Sequence, residues 1–400
     1  MTTVVPALVV GGGIGGLATA VALARQGRDV HLIERAPEFA EIGAGLQVGP
    51  NALRMLDRLG LLGEVMKRAV RPRRAVMLDA MSGEHLTTLD LGERFRERYG
   101  YPYVVLHRGD LLEVLLDACR AEPRVALENT KTVVDVRADA EEAFVRCSDG
   151  SEYRTGLLVG ADGLHSRVRT LIDTSPPHHS GYFAYRGTLP MNEVADEVSA
   201  DEVRLWVGPG LHLMQYPVRS LEVYNQVAVF RSDRFQQGLV PHGTPDELES
   251  RFADACDAVQ RHVARISTER NWPIVDRDPL PTWTAGRAVL IGDAAHPMLQ
   301  YLGQGACQAL EDAVALAHAV GPGPGDVPVA LAAYERQRIG KASRCQRSAR
   351  PWGEVWHTDD QAMLGLRRRV FGGRNADDYS ELDWLYLDDA VAAPSPGGSR

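Results

Sequence analysis

The chain has little that would suit a disulfide framework. Its five cysteines are an odd, scattered set at 119, 147, 256, 307 and 345, with no C-x-x-C among them. That pattern argues against a zinc ribbon or a dithiol redox pair, fits a reducing compartment and leaves no metal site to expect. Long runs of basic residues are also missing, and Lys+Arg 44 against Asp+Glu 53 gives a formal charge of −9, which argues against nucleic acid or an anionic membrane as partner. No apolar stretch approaches the roughly 20 residues of a membrane helix. The first apolar run breaks at glycine and has no charged segment before it, so neither a signal peptide nor a membrane span is expected, and the expected location is the cytoplasm. No repeat of fixed period occurs, and the one low-complexity piece is the tail, where 391–400 is expected to be disordered. What remains, 44% apolar and 24% charged residues over 400 positions, is typical of a globular enzyme of two or three domains.

The densest signal that is present lies near the start. An apolar run from Ala7 leads into Val9-Val10-Gly11-Gly12-Gly13-Ile14-Gly15-Gly16, followed by Leu17-Ala18-Thr19-Ala20, and reads as strand, glycine turn and helix. Gly11, Gly13 and Gly16 fit G-x-G-x-x-G: one glycine for the tight turn, one for close approach of backbone to a pyrophosphate, one for helix–strand packing. The helix start offers bare N–H groups to an anion. Asp29 to Arg35 reads as a second strand ending in an acid, and Glu34 stands roughly 20 residues beyond Gly11, a spacing suited to a carboxylate on ribose hydroxyls.

Further along, Glu41 to Ala52 is glycine-dense, a loop able to let backbone approach a flat ligand or merely to connect. A helical pattern through Leu53, Leu56 and Leu59 follows, and Val70 to Tyr101 reads as short strands with polar turns. At His107-Arg108-Gly109-Asp110, Asp110 is the expected N-cap with Glu113 completing a capping box, which places Arg108 just before the helix, free to meet a ligand or simply solvated. Val125 to Tyr153 alternates around the hairpin signal Ser148-Asp149-Gly150. The strand at Leu157 to Gly160 ends in Asp162-Gly163, at the kind of strand end where open α/β sheets bind ligands.

From Gly181 to Val275 the texture turns to short strands with Gly/Pro turns, at Tyr182–Leu189, Val203–Val207, Leu211–Val218 and Val223–Phe230, and then one helix near Pro245 to Val263. Alternation puts His212, Met214 and Tyr216 on one face, where they line a pocket or serve as half-buried structure. A second buried strand, Val289 to Ile291, ends in Gly292-Asp293, and the turn through Gly303 and Gly305 opens a helix running to Val320. A loop at 321–325 precedes a longer polar helix over about Val327 to Ala349. The aromatic-rich stretches Trp352 to His357 and Asp383 to Leu387 read as a helical cap or a subunit contact.

Three pieces in this order, Gly11 to Gly16 with Glu34, Asp162-Gly163, and Gly292-Asp293 with Pro297, resemble the single-component flavin-dependent aromatic hydroxylases of the para-hydroxybenzoate hydroxylase type. Within that group Gly43 to Pro50, Ala184 to Thr188, His212 to Tyr216, Asn225 to Phe230 and Leu299 to Leu302 look most like 3-hydroxybenzoate 6-hydroxylases, with salicylate hydroxylases as near cousins. The resemblance implies an α/β fold: a Rossmann-like FAD-binding domain drawn from 1–75, 102–180 and 276–320, substrate-domain strands at 76–101, an antiparallel substrate sheet at 181–275, and a C-terminal helical region at 321–390. It implies tightly bound FAD held by Gly11, Gly13, Ile14, Gly15 and Gly16 at the pyrophosphate, Glu34 and Arg35 at the adenosine side, Gly45 and Gln47 in the flavin loop, and Arg108 and Asp293 along the ribityl and pyrophosphate. Ala306 and Cys307 would present backbone N–H groups to the flavin carbonyl edge, Gly305 would be a further cofactor contact, and Asp162 would serve both FAD and the nicotinamide cofactor.

The same resemblance implies a reaction that consumes NADH or NADPH and O₂ through a C4a-hydroperoxyflavin, with the protein supplying position and electrostatics. His212 would be the base that takes the phenol proton and Gln300 the amide that holds the phenol oxygen, turning 3-hydroxybenzoate into 2,5-dihydroxybenzoate, gentisate. Tyr216, Met214 and Arg186 are the candidate pocket contacts, Arg186 either meeting the substrate carboxylate or forming an ordinary ion pair. A homodimer is implied as well. The run Gly303-Gln304-Gly305-Ala306-Cys307-Gln308 departs from the 3-hydroxybenzoate pattern, so decarboxylating salicylate 1-hydroxylation, another phenolic substrate, and a catalytically silent FAD-binding scaffold stand as alternatives.

Overall fold

The structure is a computed structural model and describes residues 2–40, 44–323 and 325–387. Glu41, Ile42 and Gly43 of the glycine-dense loop, Pro324 and the tail from 388 onward lie outside the described residues.

The fully buried strand Ala7–Val10 forms the middle of a six-stranded sheet. It pairs in parallel with Val30–Ile33 on one side and Leu158–Gly160 on the other, and Ala288–Leu290 lies parallel beyond Leu158–Gly160. Because these strands run the same way, their carboxyl ends open at one edge. Gly11 to Gly16, Ala161 to Gly163 and Gly292-Asp293 therefore emerge side by side although they are far apart in sequence. Buried helices cover the sheet; Ile14–Arg25 packs on Gly305–Val320, both rich in alanine, which permits close approach.

A seven-stranded sheet stands over that edge. Its core is the antiparallel set His178–Pro190, Val223–Arg231, Leu211–Val218 and Glu202–Gly208, extended by Arg74–Asp79 and His85–Asp90. Alternation gives the sheet two apolar faces. Leu211 and Leu213 join Trp206, Phe230, Leu248 and Phe252 in one core, while Met214, Val227 and Leu205 face Tyr301 and Trp356 in another.

Four local expectations need correction. Val70 to Tyr101 is not all strand, because Glu93–Tyr99 is a helix whose Phe95 and Tyr99, at helical spacing, sink into an aromatic cluster with Tyr379 and Tyr386. Asp110 is not an N-cap: the helix begins at Arg108, with His107 at the cap, so Asp110 supports the first turn as an acid near the positive end of the dipole. The single helix near Pro245 to Val263 is two, Pro245–Phe252 and Asp257–Val263, the second opening at Cys256, whose N–H bonds Ala80 O. The last long helix runs on through Pro351 to His357, since Gly353, Trp356 and His357 pack inward against the turn at Gln300–Leu302, and tertiary packing outweighs the proline.

Candidate active site

Between the carboxyl edge of the parallel sheet and the face of the antiparallel sheet lies a cavity of about 620 Å³. Gly13, Ile14, Gly15, Gly45, Gln47, Arg108, Asp293, Gly305 and Ala306 line its sheet-edge side, and Arg186, His212, Met214, Tyr216 and Gln300 line the other. The sequence-derived candidates are thus brought to one space with few exceptions.

The sheet-edge side is built mainly from backbone. Gly11 adopts φ +110°, and a Cβ there would sit 2.4 Å from Ala161 O, while a Cβ on Gly16 would sit 1.9 Å from Gly11 O. Gly13 differs, because a Cβ there meets nothing within 4 Å. The open space lies over the start of the helix Ile14–Arg25, which has no side-chain cap and no acid in its first turn. The helix Gly305–Val320 begins in the same uncapped way beside the exposed Asp293. Two bare helix starts and an empty cradle fit a dinucleotide cofactor with its pyrophosphate at Gly13 and a polar chain along Asp293.

Glu34 accepts from Gly12 N at 2.6 Å and from Ala36 N at 2.8 Å, so it braces the glycine turn while each oxygen keeps a lone pair for a hydroxyl. Arg35 is exposed outside the cavity. Asp162 does not line the cavity; its carboxylate accepts from Ser166 Oγ at 2.5 Å and from Arg167 N and Val168 N, and it shapes the turn that places Ala161 and Gly163 at the wall. Cys307 turns its thiol inward toward Gln47 O and Gly303 O, and burial pushes that thiol up to about 12, which makes it inert.

A buried ionic network beneath this edge escaped the sequence reading. Asp312 accepts from Gly292 N at 3.0 Å, from His296 Nε2 at 2.5 Å and from Arg338 Nε at 2.8 Å, and Glu311 bonds Arg338, Lys341 and Asn51. Burial alone would raise the Asp312 carboxyl, but the His296 and Arg338 charges hold it at about 2. The network fixes the Gly292-Asp293 turn. Its sequence signal was an adjacent acid pair in an otherwise apolar helix.

The other side is built from side chains. A Cβ on Gly45 would lie 2.4 Å from the Tyr216 ring, and Gly45 N donates to Asn225 Oδ1 at 2.7 Å, so the loop rests directly on the antiparallel sheet. Tyr103 donates to Gln47 Oε1 at 2.5 Å. Arg186 lies over the Trp272 ring at 5.3 Å with its Nε turned inward and meeting no acceptor; burial lowers its pKa, Tyr216 is near, and the Arg108 charge opposes it. The buried Arg186 Nε–H without an acceptor suits an anionic ligand. His212 is 1% exposed, and Gln300 Nε2 lies 3.4 Å from its Nε2. Burial, and then the neighbouring His357, keep its pKa well below 6.5, so the ring is neutral and one nitrogen carries a lone pair. His357 also reaches the site, and the aromatic-rich stretch that carries it holds no local sequence signal for that contact.

Among the described residues no helix is long and apolar enough to cross a membrane, and no group of three or more His, Cys, Asp or Glu side chains is arranged to hold a metal.

Comparison with known proteins places the geometry. Residues 4–342 match the FAD binding domain family. The 3-hydroxybenzoate 6-hydroxylase of Klebsiella oxytoca is 38% identical over 392 residues, covering 96% of this chain and 97% of the relative. A 3-amino-4-hydroxybenzoate 2-monooxygenase of Streptomyces platensis is 35% identical over 98% of this chain and 97% of its own length. Among solved structures, Klebsiella pneumoniae HpxO complexed with FAD and uric acid superposes with a TM-score of 0.82 at 28% identity, covering 98% of this chain and 97% of that one.

Proposed function

Since the chain belongs to the FAD binding domain family and is an FAD-dependent aromatic monooxygenase that uses NAD(P)H and O₂, we propose that it hydroxylates 3-hydroxybenzoate to gentisate, with His212 as base and Gln300 as the amide at the phenol oxygen. The observation that carries this is the meeting of neutral His212 with Gln300 on the cavity wall, with Arg186, whose buried Nε has no hydrogen-bond partner, beside Tyr216 on the same sheet. The first pair suits a phenol and the second a carboxylate, the two groups of a hydroxybenzoate.

Bound FAD, once reduced by the nicotinamide cofactor, supplies the activated oxygen. The chain does the rest. Arg186 and Tyr216 hold the carboxylate and fix the ring over Met214. His212 Nε2 takes the phenol proton, so electron density rises at the ring carbon para to the oxygen, which is the carbon hydroxylated in gentisate. Gln300 donates to the phenolate as charge develops. Tyr301 and Trp356, packed edge-on against His212, keep water from the site. Gly13, Asp293 and the two helix starts hold the cofactor, with Arg108 along its chain.

The test is product analysis of the yellow protein with NADH and, separately, 3-hydroxybenzoate and salicylate. Gentisate in step with NADH consumed supports the reading. Catechol and CO₂ from salicylate would replace it with decarboxylating 1-hydroxylation, and H₂O₂ alone would mean another phenol is the substrate. A cytoplasmic homodimer belongs to the same proposal. It is supported by the exposed stripe Met363, Leu366 and Val370 on the helix Gln361–Gly372, and a monomeric mass in solution would overturn it.

A further inference from the structure

The aromatic stretch that ends the long C-terminal helix brings a second imidazole onto His212. His212 Nδ1 and His357 Nε2 are 2.7 Å apart, and the two buried rings lie within 15° of parallel. Between two neutral imidazoles at that distance one nitrogen carries the proton and the other accepts it. The far side of His212 decides which. Gln300 Nε2 is an amide nitrogen that only donates, and it faces His212 Nε2 at 3.4 Å. His212 Nε2 is therefore the acceptor, its proton sits on Nδ1, and His357 Nε2 must accept.

From this geometry we infer that His357 is a positioning residue for the base: by accepting from Nδ1–H it holds His212 in the tautomer whose bare Nε2 faces the phenol, and it takes over the Nδ1 proton once His212 is charged. This rests on His212 being the base. In the step itself, the phenol O–H bond breaks and a His212 Nε2–H bond forms. As the Nδ1–H bond breaks and a His357 Nε2–H bond forms, the His357 Nδ1–H bond breaks and its proton passes to water, so that both rings end neutral with their protons on Nε2. One proton leaves, a phenolate stays and no electrons move.

The surroundings suit a relay rather than a store. Tyr182 stacks on His357 at 4.4 Å, Tyr301 meets both rings edge-on, Trp356 meets His212, and the charge felt by His357 is that of Arg231. No carboxylate of the described residues forms an ion pair with either ring, so neither ring holds a proton for long. His357 is the last residue of its helix, and Asp359 and Asp360, two and three residues on, are exposed.

The test uses the FAD-loaded protein and the chromophoric ligand 5-hydroxy-2-nitrobenzoate, titrated from phenol to phenolate by absorbance in the parent and in His357→Phe, His357→Gln and His212→Asn. His357→Phe is expected to raise the apparent pKa of the bound phenol by about one unit or more. It should also slow 3-hydroxybenzoate hydroxylation about tenfold at pH 6.5, with KM unchanged and recovery by pH 9. His357→Gln, which keeps an acceptor for Nδ1–H but cannot take its proton, should hold the phenol's apparent pKa near the parent value while the rate at pH 6.5 stays below the parent. A parent-like His357→Phe, or a phenol pKa raised equally in both variants, overturns the inference. An unshifted His212→Asn instead overturns the base assignment, so the two failures are distinguishable. Should His357→Phe not retain FAD, ¹⁵N-histidine NMR of the parent decides: a His212 protonated on Nε2 overturns the inference without any variant.

Discussion

The two walls of the cavity are made of different material. The wall at the parallel sheet is backbone, with glycines where a Cβ would strike a neighbouring carbonyl and helix starts left bare, all braced from below by Asp312, Arg338 and Glu311. The wall at the antiparallel sheet is side chain, with His212, Met214, Tyr216 and Arg186 projecting from a rigid ladder. Backbone recognises what every member of a cofactor family shares, a pyrophosphate and a flat ring, whereas side chains can be exchanged one at a time to suit a substrate. Damage to the first wall should appear as lost flavin or lost fold. Damage to the second should leave the flavin and change the reaction.

The largest effect that would sharpen this contrast is expected from Asp312→Asn. It removes the carboxylate charge that the buried Arg338 and His296 share, leaving Arg338 with Glu311 as its only acid, and should lower stability by about 3–5 kcal/mol, with flavin loss, read by thermal unfolding and flavin absorbance. A variant as stable as the parent would show that the brace is not needed. Next comes Gly16→Ala, whose methyl would press on Gly11 O and should cost about 1–3 kcal/mol in the flavin-free protein as well. Arg186→Met, on the other wall, should keep flavin and stability while raising KM for 3-hydroxybenzoate about tenfold, with little effect on the uncharged 3-hydroxybenzamide. Equal losses for acid and amide would remove Arg186 from the carboxylate.

The remaining effect is graded with pH. Burial holds His357 at about 3 and His212 well below its ordinary value, whereas the unfolded chain protonates both near pH 6.5. A depressed folded value means that the native state binds fewer protons. The stability these rings allow is therefore complete above pH 6.5 and declines as the pH falls, by up to about 1.4 kcal/mol per unit for each ring. A melting temperature that falls from pH 6.5 to pH 5, with a shallower fall in His357→Gln, is the expected result. A level melting temperature in the parent would contradict the buried neutral pair.

The legibility of the sequence follows the same division. Backbone sites announce themselves, because only glycine meets their geometry and because Glu34, Asp162 and Asp293 each close a recognisable strand. The face shared by His212, Met214 and Tyr216 was legible from period-two alternation. Contacts made across the chain were not. His357 meets His212 over 145 positions, and Arg338 meets Asp312 over 26, through packing that no local pattern encodes. Asp162 shows a further limit: its place in the motif is visible, but only the structure shows its carboxylate turned to Ser166 and the following backbone. The helix Glu93–Tyr99 was hidden because its charged face outweighs the two aromatics that bury it.

The contrast itself is tested most directly by measuring, in parallel, the flavin content and the product formed per NADH consumed for Gly13→Ala and His212→Asn. A methyl at Gly13 fills the cradle without touching protein, so the expected result is a well-folded chain that is poor in flavin, whose flavin-loaded fraction forms gentisate as tightly coupled as in the parent. His212→Asn should keep its flavin and spend NADH on H₂O₂ with little product. Full flavin content in Gly13→Ala, or well-coupled gentisate formation by His212→Asn at pH 6.5, would contradict it.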